Sequence, residues 1–447
     1  MASWADDAVF YHIYPIGFCG APKRNDLNAP PVPRLDKLFY WVDHIKQLGV
    51  TALYLGPVFE SSSHGYNTID YFMVDRRLGD NQLLARVVEA FHNAGIRVIL
   101  DAVYNHVGRD FWAFKDVQQN GQSSRFCNWF HGIDYTKKSP KGDNFSYEGW
   151  KGHDALVKLN LANPETRDHL LEATRVWIND FNIDGLRLDA ADCIDFRFMR
   201  ELNSFTKKLK SDFWLMGEVV HGDYTQWANP DTLHSVTNYE AYKGLYSSLN
   251  DKNYFEIAYS LNRQFGRAGI YRDIPLYNFA DNHDVNRVAS MLKDPAHLYP
   301  LYCMLFTMPG IPSIYYGSEW GIEGAKTHNS DDPLRPCIEL HGNHKPQPEL
   351  YNTLQKLAYI RNTTPALRHG TYEQLHLESQ LFAYKRQTGG SEVIVALNSS
   401  DKPQKLELPA AEGAYTDILN GGAYKAANGK LMIEKVYPNW ACMMKRE

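Results

Sequence analysis

Short apolar runs alternate along this chain with stretches whose apolar residues recur at helical spacing, and this alternation restricts the possible fold most strongly. Leu38, Ile45 and Leu48 lie on one face of a predicted helix that Gly49 terminates. The apolar run 51–55 follows directly and has the length of a buried strand. Because parallel strands need crossover helices that cover both faces of a sheet, the alternation predicts βαβ units.

Eight apolar runs of this kind are predicted to be strands. A series of eight βα units closes into a barrel whose functional residues lie at the carboxyl ends of the strands. We therefore predict an α/β fold, a (β/α)8 TIM barrel. The predicted strands are 9–15, 51–55, 98–103, 185–189, 213–217, 235–237, 275–279 and 313–316.

Two stretches interrupt the alternation. After the third strand, a segment rich in Gly, Ser, Lys and aromatic residues lacks a helical period, which indicates a small irregular insertion domain. Near the end of the chain, short apolar segments alternate with Gly, Asn and Ser turns, which predicts an antiparallel β-sandwich. The predicted domains are the barrel (1–106 and 159–368), the insertion (107–158) and the C-terminal all-β domain (369–447).

Composition excludes several classes of function. Hydrophobic residues make up 44% of the chain and charged residues 22%, as in ordinary globular proteins. A net charge of −5 without a dense basic block argues against a nucleic-acid partner. No apolar stretch is long enough to cross a bilayer, and Met1–Phe10 lacks the pattern of a secretion signal. The 6 cysteines are scattered at spacings that suggest no disulfide pairs, so we expect a cytoplasmic protein. We also expect a monomer or weak dimer without a membrane partner.

Charged and polar side chains end four of the predicted strands. They are found in the segments 101–106, 187–189 and 281–284, and at Glu218. A single buried carboxylate is more often a structural ion-pair partner than a catalytic group. Uncompensated charge at the mouth of a barrel is costly, so its presence at four strand ends needs an explanation. A catalytic site provides one, because catalytic residues lie at these strand ends.

The residues around these strand ends resemble the four signature regions of the α-amylase family, glycoside hydrolase family 13. Three further segments of the chain, HGY at 64–66, LNLAN at 159–163 and GIPSIYYG at 310–317, also resemble this family. The four signature segments are DAVYNH (101–106), GLRLDAA (185–191), GEVV (217–220) and FADNHD (279–284).

This resemblance implies an enzyme that hydrolyses glycosidic bonds with retention of configuration. It implies Asp189 as nucleophile, Glu218 as general acid/base and Asp284 as a third carboxylate that holds sugar hydroxyls. The resemblance implies that Asp101 either binds a sugar hydroxyl or has a structural role. Asp331 and Arg335 form either a pair that touches the sugar beyond the cleavage site or a plain surface ion pair. The implied substrate-binding residues are His64, Tyr66, Asp101, His106, Arg187, His283, Asp331 and Arg335.

The implied mechanism requires two carboxyl groups in different protonation states, about 5–5.5 Å apart. Arg187 and Asp189 are two residues apart on a strand and point the same way. We therefore expect Arg187 to lower the pKa of Asp189, and partial burial to raise the pKa of Glu218.

Substrate preference stays open at this point. Parts of the insertion resemble intracellular maltodextrin-degrading members, the neopullulanase and cyclomaltodextrinase group. We predict hydrolysis of α-1,4 bonds in maltooligosaccharides, with an α-glucan oligosaccharide as partner and no cofactor. Alternatives are a cyclomaltodextrinase or neopullulanase, an α-glucosidase or a glucanotransferase. A catalytically inactive carbohydrate-binding homologue is a different class, which the three intact carboxylates disfavour.

Two weaker features of the sequence concern the insertion. Asn105 matches a calcium ligand of many secreted relatives, but the acidic residues of the insertion are dispersed, so we expect no metal site. Trp129 and Trp150 are candidates for stacking on sugar rings, with packing of the insertion as the alternative for at least one of them.

Overall fold

The computed structural model describes residues 3–328 and 330–447. Its centre is a sheet of eight parallel strands that pair in chain order, with the eighth strand lying between the first and the seventh. A parallel bridge from Thr237 to Tyr277 joins the sixth and seventh strands and closes the ring. The predicted TIM barrel is confirmed. Its strands are Phe10–Ile13, Ala52–Leu55, Arg97–Ala102, Gly185–Leu188, Trp214–Gly217, Ser235–Val236, Tyr277–Phe279 and Ile311–Tyr315.

The interior of the barrel is filled with large side chains at its amino-terminal end. Phe10, Trp214 and Tyr277 belong to one buried cluster, and the rings of Phe10 and Trp214 are 5.4 Å apart. The short 3-10 helix Trp4–Asp7 covers this end, where Trp4 contacts the ring of Trp214. Because this end is sealed by packing, polar chemistry is restricted to the carboxyl ends of the strands.

Helices surround the barrel and begin with recognisable caps. The side chain of Asp80 accepts a hydrogen bond from the backbone of Leu83, and Asn163 does the same for Thr166. The α-helices of the barrel and its connections are Pro15–Phe18, Lys37–Gln47, Asn81–Asn93, Pro164–Phe181, Phe196–Leu209, Tyr239–Asn250, Phe255–Phe265, Val288–Met291, Leu298–Thr307, Pro348–Thr363 and Pro365–His369.

The segment after the third strand contains more regular structure than its sequence predicts. Strands His106–Gly108, Gly149–Trp150 and His153–Lys158 form a small antiparallel sheet. The segment also contains the helix Trp112–Asn120, although its sequence shows no helical period. This helix buries only Ala113, Phe114 and Val117, and nine residues are too few for a helical period to be visible. A separate hairpin, Phe59–Ser61 with Thr68–Val74, follows the second barrel strand.

The C-terminal part is an antiparallel β-structure, as predicted. Hydrogen bonds connect its eight strands into one sheet, and the first strand contacts the fourth, so the sheet folds over its own core. Leu381, Ile394, Leu406, Ile433 and Met444 belong to that core. The strands are Thr371–Leu377, Leu381–Thr388, Ser391–Asn398, Gln404–Pro409, Gly413–Asp417, Ala423–Ala427, Lys430–Val436 and Trp440–Arg446.

Candidate active site

Three carboxylates surround the guanidinium of Arg187 at the carboxyl ends of the third, fourth and fifth barrel strands. Nη1 of Arg187 lies 2.9 Å from Oδ1 of Asp101 and 3.0 Å from Oδ1 of Asp189. Nη2 lies 2.9 Å from Oε2 of Glu218. The strand ends converge at one mouth of the barrel, and this brings together residues that are far apart in the sequence.

Asp101 forms the buried base of this cluster. Its side chain is 0% exposed, and besides Arg187 it accepts hydrogen bonds of 2.8 Å from the hydroxyl groups of Tyr54 and Tyr66. A carboxylate with these partners and no exposed surface holds other groups in place rather than contacting a ligand. The arrangement favours the structural one of the two roles considered for Asp101.

Burial dominates the ionisation of the two central carboxyl groups. It raises the pKa of Asp189 well above its ordinary value. The positive charge of Arg187 lowers this pKa, and the negative charge of Glu218 raises it further. It also raises the pKa of Glu218, as expected. Arg187 acts on the Asp189 pKa in the expected direction, but burial is the larger effect and the carboxylates of Glu218 and Asp101 add to it, so the net shift is upward. Asp189 and Glu218 together therefore retain a proton more readily than isolated carboxyl groups.

The backbone after Asp189 is shaped to contact Glu218. Ala190 adopts the left-handed conformation (φ 44°, ψ 46°), which costs a residue with a side chain about 1–2 kcal/mol. In this conformation its backbone N–H donates a hydrogen bond of 3.1 Å to Oε2 of Glu218. Strain of this kind persists only where the surrounding structure enforces it, and here it fixes one oxygen of Glu218 beside Asp189.

Asp284 lies on the other side of the mouth, after the seventh strand. Its Oδ2 is 2.9 Å from Nε2 of His283, and its Oδ1 accepts a hydrogen bond of 3.1 Å from Arg335. Burial opposes ionisation of Asp284, but the adjacent His283 and Arg335 outweigh it and hold the pKa of Asp284 below its ordinary value. Asp284 is therefore a carboxylate at neutral pH, and its side chain is 33% exposed to the open mouth.

Two further histidines face the same mouth as neutral rings. Nε2 of His106 lies 3.8 Å from Oδ2 of Asp189. Burial lowers the pKa of His106 to about 3 and that of His64 to about 4. Neutral imidazoles can donate and accept hydrogen bonds, which suits them to hydroxyl groups. Of the predicted residues, His64, Tyr66, His106 and His283 thus lie around the central carboxylates.

Residues 34–343 match the family described as alpha amylase, catalytic domain, and residues 370–434 match the α-amylase C-terminal domain. The first match covers more than half of the chain. The chain belongs to the α-amylase family.

Similar α-amylase-family proteins cover almost all of this chain. A cyclomaltodextrinase of Thermoanaerobacter pseudethanolicus is 32% identical over 461 residues, which span 99% of this chain and 78% of that protein. Neopullulanase 2 of Thermoactinomyces vulgaris is 32% identical over 462 residues, spanning 96% of this chain and 76% of that protein. The solved structure of a cyclic α-maltosyl-(1→6)-maltose hydrolase from Arthrobacter globiformis is 26% identical, covers 99% of both chains and superposes with a TM-score of 0.81.

This chain is therefore an α-amylase-family glycoside hydrolase, an enzyme. Within the part of the chain that the structure describes, no helix combines the length and the hydrophobicity needed to cross a membrane.

The acid–arginine pair of this α-amylase-family enzyme is more than a surface ion pair. Nη2 of Arg335 lies 3.1 Å from Asp284 and 3.3 Å from Asp331, and Nε donates to the backbone oxygen of His283. The side chain of Arg335 is 13% exposed, whereas that of Asp331 is 36% exposed and also contacts Lys326. Arg335 therefore holds Asp284 directly, and Asp331 lies at the rim of the mouth.

The two tryptophans of the insertion have different surroundings. Trp129 is 4% exposed, and its indole N–H donates to Glu165, so it joins the insertion to a barrel helix. Trp150 is half-buried, and its ring centroid lies 5.5 Å from that of His106. Trp129 is thus a packing residue, while Trp150 borders the active site.

Several site residues were missed by the sequence analysis. Tyr54 donates to Asp101 and the backbone of Ala190 donates to Glu218, as described above. Tyr14 donates a hydrogen bond of 2.7 Å to the backbone oxygen of His64, and His12 stacks on Tyr54. A signal was present for His12, because it lies in a strand that is buried along its whole length, where a polar residue needs a reason.

Residues suited to metal binding are dispersed. In residues 3–328 and 330–447, no three side chains of the His, Cys, Asp or Glu type are grouped so that they could hold an ion. Asn105 is buried beside its neighbour, with its amide nitrogen 3.2 Å from Nδ1 of His106.

Proposed function

We propose that this enzyme hydrolyses α-1,4-glucosidic bonds of maltooligosaccharides with retention of configuration, through a covalent glycosyl-enzyme. The observation that carries the proposal is the single guanidinium of Arg187, which contacts both Asp189 and Glu218. It keeps a nucleophile and an acid side by side at the open end of the barrel.

Two displacement steps follow from this arrangement. In the first, an oxygen of Asp189 attacks the anomeric carbon, the glycosidic bond breaks, and the leaving oxygen takes a proton from Glu218. In the second, Glu218 removes a proton from water, the water oxygen attacks the anomeric carbon, and the ester bond to Asp189 breaks. Each step inverts the carbon once, so the product keeps the configuration of the substrate.

The contacts of Glu218 support its role as the proton donor. Its Oε2 is occupied by Arg187 and by the backbone N–H of Ala190. Its Oε1 makes no hydrogen bond with a residue in the described part of the chain, and this leaves it available to a glycosidic oxygen. Burial raises the pKa of Glu218, so this carboxyl group keeps its proton more readily than an exposed glutamate does.

Asp284 and the neutral histidines are suited to holding the sugar. The ionised Asp284 accepts hydrogen bonds from hydroxyl groups, and His106 and His64 can donate or accept them. An ionised group near the anomeric carbon also stabilises the positive charge that develops there in the transition state.

Cyclic and branched dextrins are the second candidate substrates. The names of the similar proteins favour them, since they are a cyclomaltodextrinase, a neopullulanase and a cyclic maltosyl-maltose hydrolase. A glucanotransferase would use the same residues but would transfer the glycosyl group to a sugar hydroxyl in place of water. An α-glucosidase would also use them, but would cleave at the end of the sugar chain.

Product analysis separates these possibilities. The enzyme is incubated with maltotriose, maltoheptaose, β-cyclodextrin and pullulan, and products are followed by chromatography over time. We expect maltoheptaose to be shortened to glucose, maltose or maltotriose without longer products. Products longer than the substrate would show transfer, and faster opening of β-cyclodextrin would favour the second candidate. An enzyme that binds maltoheptaose but releases nothing from any of the four would contradict the proposal.

We also propose that the protein works in the cytoplasm. Its six cysteines are free thiols in the structure, a state that oxidising compartments do not preserve in most proteins. Fractionation of the source cells, with detection by antibody, tests this, and recovery of the protein outside the cytoplasmic fraction would contradict it.

A further inference from the structure

A cleft lies where the barrel meets the C-terminal sheet. It encloses about 460 Å³, within the range of about 300–1,000 Å³ that is typical of small-ligand sites. It is lined by Phe255, the first residue of a barrel helix, and by the turn 378–380 between the first two strands of the sheet. None of the described residues that line this cleft belongs to the active site. The remaining lining residues are Leu377, Leu381, Ser400 and Gln404.

Two aromatic rings of the helix Phe255–Phe265 are exposed at this place. Phe255 is 48% exposed and Tyr259 is 71% exposed. Because they are four residues apart on a helix, their side chains lie on one face, about one turn of 5.4 Å apart along the axis. Single exposed apolar residues are common, but neighbouring exposed rings beside a cleft indicate a binding surface.

Uncharged hydrogen-bonding groups accompany the two rings. Asn262 follows on the same helix and donates a hydrogen bond of 2.6 Å to the side chain of Gln374 on the first strand of the sheet. In the cleft, the amide nitrogens of Gln380 and Gln404 donate to neighbouring residues, whereas their Oε1 atoms make no hydrogen bond with a described residue. Of the eight residues that line the cleft, Glu378 alone is charged.

The chemistry of this surface fits a neutral sugar chain. A sugar ring has an apolar C–H face that stacks on an aromatic ring, and hydroxyl groups that donate hydrogen bonds to free amide oxygens. An anionic ligand would find no basic side chain among the lining residues. An α-glucan, the substrate class proposed above, is a chain of such neutral rings.

The cleft is held in shape by contacts between the helix and the sheet. The backbone N–H of Tyr254 donates a hydrogen bond of 2.8 Å to the backbone oxygen of Ser379, and the ring of Tyr254 lies 5.8 Å from that of Phe382. A site that is formed in advance loses less free energy to ordering when a ligand binds. About 12 Å further along the helix, Arg263 pairs with Glu240. Glu240 follows the sixth barrel strand, so the cleft lies at the helix end remote from the mouth.

We propose that the cleft and the rings of Phe255 and Tyr259, together called the junction site, form a second carbohydrate-binding site that holds a linear α-glucan chain. The chain lies across the two rings, and its hydroxyl groups donate to the free amide oxygens of Gln380 and Gln404. A long glucan held there stays near the mouth of the same molecule, which raises its effective concentration at the active site. The inference rests on the proposed α-glucan substrate.

Retardation in native gels that contain amylopectin tests the junction site. All variants carry Asp189→Asn, so that the polymer is not degraded during the run. We expect the double substitution Phe255→Ala/Tyr259→Ala to weaken the apparent affinity for amylopectin at least about fivefold, because stacking on both rings is lost. Tyr359→Ala is the matched control, since Tyr359 is 68% exposed on the barrel helix Pro348–Thr363, and it should be retarded like the parent.

A pair of substitutions at Phe255 separates stacking from simple apolar contact. Phe255→Trp keeps an aromatic ring and should bind amylopectin like the parent, whereas Phe255→Leu keeps only an apolar side chain and should bind at least about twofold more weakly. Circular dichroism checks that both variants are folded. Equal retardation of these two variants, or a parent that amylopectin does not retard, would overturn the inference.

A second copy of this chain is the other possible occupant of the exposed rings. Sedimentation velocity tests it. We expect the double substitution to leave the sedimentation coefficient unchanged. A dimer that the double substitution dissociates would assign Phe255 and Tyr259 to self-association and would overturn the inference.

The gel measurement and the product analysis distinguish the two proposals. If the wild type hydrolyses none of the four glucans but retardation depends on Phe255 and Tyr259, the proposed function fails while the junction site stands. If maltoheptaose is hydrolysed but the double substitution is retarded like the parent, the junction site fails while the proposed function stands.

Discussion

One guanidinium serving three carboxylates is the central feature of this site at the scale of single residues. Asp101 contacts the guanidinium of Arg187 from its buried side, whereas Asp189 and Glu218 contact it from the side that faces the mouth. Asp101 is inaccessible and accepts hydrogen bonds from Arg187, Tyr54 and Tyr66, so it anchors the guanidinium from its buried side. The proposed acid and the proposed nucleophile are thus held beside each other by one anchored group.

Removing the charge of either central carboxylate should abolish turnover but not folding. We expect Asp189→Asn and Glu218→Gln to lower kcat on maltoheptaose by at least about 10²–10⁴-fold, since each removes a chemical step. Folding is retained because the amide oxygens can still accept hydrogen bonds from Arg187. Steady-state kinetics and circular dichroism check this, with Asp180→Asn, an exposed carboxylate on the helix Pro164–Phe181, as the unaffected control.

The two roles can be told apart with an α-glucosyl fluoride, whose leaving group needs little help from an acid. Glu218→Ala should still form the covalent glycosyl-enzyme from it, and mass spectrometry should find the added sugar on Asp189. If Asp189→Ala traps the sugar and Glu218→Ala does not, the two roles are reversed.

The configuration of the first product tests the covalent intermediate. Two inversions at one carbon restore the original configuration, so fresh hydrolysis of maltoheptaose should release the α-anomer first. Proton NMR recorded within the first minutes, before the anomers equilibrate, measures this. Initial release of the β-anomer would exclude nucleophilic attack by Asp189 and would point to direct attack by water.

At the scale of elements, the strand ends carry the chemistry and the added segments shape access to it. The insertion places Trp150 beside His106, while the loop after the eighth strand places Arg335 against Asp284. At the far side, Arg361 and Arg386 are buried and donate to backbone carbonyls of Phe306 and Thr307, the last residues of a barrel helix. Arg386 lies on the strand Leu381–Thr388, so its contact joins the C-terminal sheet to the barrel, whereas Arg361 lies on the barrel helix Pro348–Thr363.

The two tryptophans of the insertion provide a matched pair of substitutions. Trp129→Ala should cost about 3–5 kcal/mol of stability, because the side chain is buried among other aromatic rings. Trp150→Ala should leave stability nearly unchanged and raise KM for maltoheptaose up to about tenfold, since a half-buried ring beside His106 is suited to stacking on a sugar. Urea denaturation and steady-state kinetics measure the two effects. A destabilised Trp150→Ala with unchanged KM would assign both rings to packing.

At the scale of the whole molecule, we expect that calcium is dispensable. The amide of Asn105 contacts His106, and Asp192, which follows the fourth barrel strand, has a carboxylate oxygen 3.6 Å from Nζ of Lys151. A calcium ion takes six to eight oxygen ligands, usually from carboxylates close together, and such a group is missing from the described residues. EDTA should leave the melting temperature and the activity unchanged. A fall of several degrees that added calcium restores would contradict this expectation.

Buried tyrosines should make the molecule sensitive to alkali. Burial raises the pKa of Tyr11, Tyr54, Tyr66 and Tyr71 well above that of an exposed tyrosine. The folded state thus keeps protons that the unfolded chain loses above its own tyrosine pKa of about 10. The stability that these groups contribute is present below about pH 10 and is lost as the pH rises further.

A spectroscopic titration checks this prediction. The part of the phenolate absorbance that comes from the buried tyrosines should appear in one cooperative step that coincides with the loss of circular dichroism, whereas a chain unfolded in guanidinium should titrate smoothly. A titration of all tyrosines that is complete before circular dichroism is lost would show that the buried ones are accessible to hydroxide.

The order of the elements and the identity of the strand-end residues could be read from the sequence. Helical periods next to short apolar runs predict alternating units, and eight such units close in one way. Because a strand residue points to the same side as the residue two positions away, Arg187 and Asp189 were predictable neighbours. The helix Trp112–Asn120 was not predictable, since its apolar face is too short to show a period.

Only the tertiary structure determined how these residues share their contacts. Arg187 and Asp101 are 86 residues apart, and nothing in the sequence tells that Asp101 lies beneath the guanidinium while Glu218 lies beside it. The raised pKa of Asp189 follows from its burial and from the neighbouring carboxylates, which together outweigh the positive charge of Arg187. Likewise, the sequence shows that His12 is a polar residue in an apolar strand, but its contact with His283 arises only from the closure of the barrel. Local periodicity determines which face a side chain occupies, but the energy of a buried charge depends on every group packed around it.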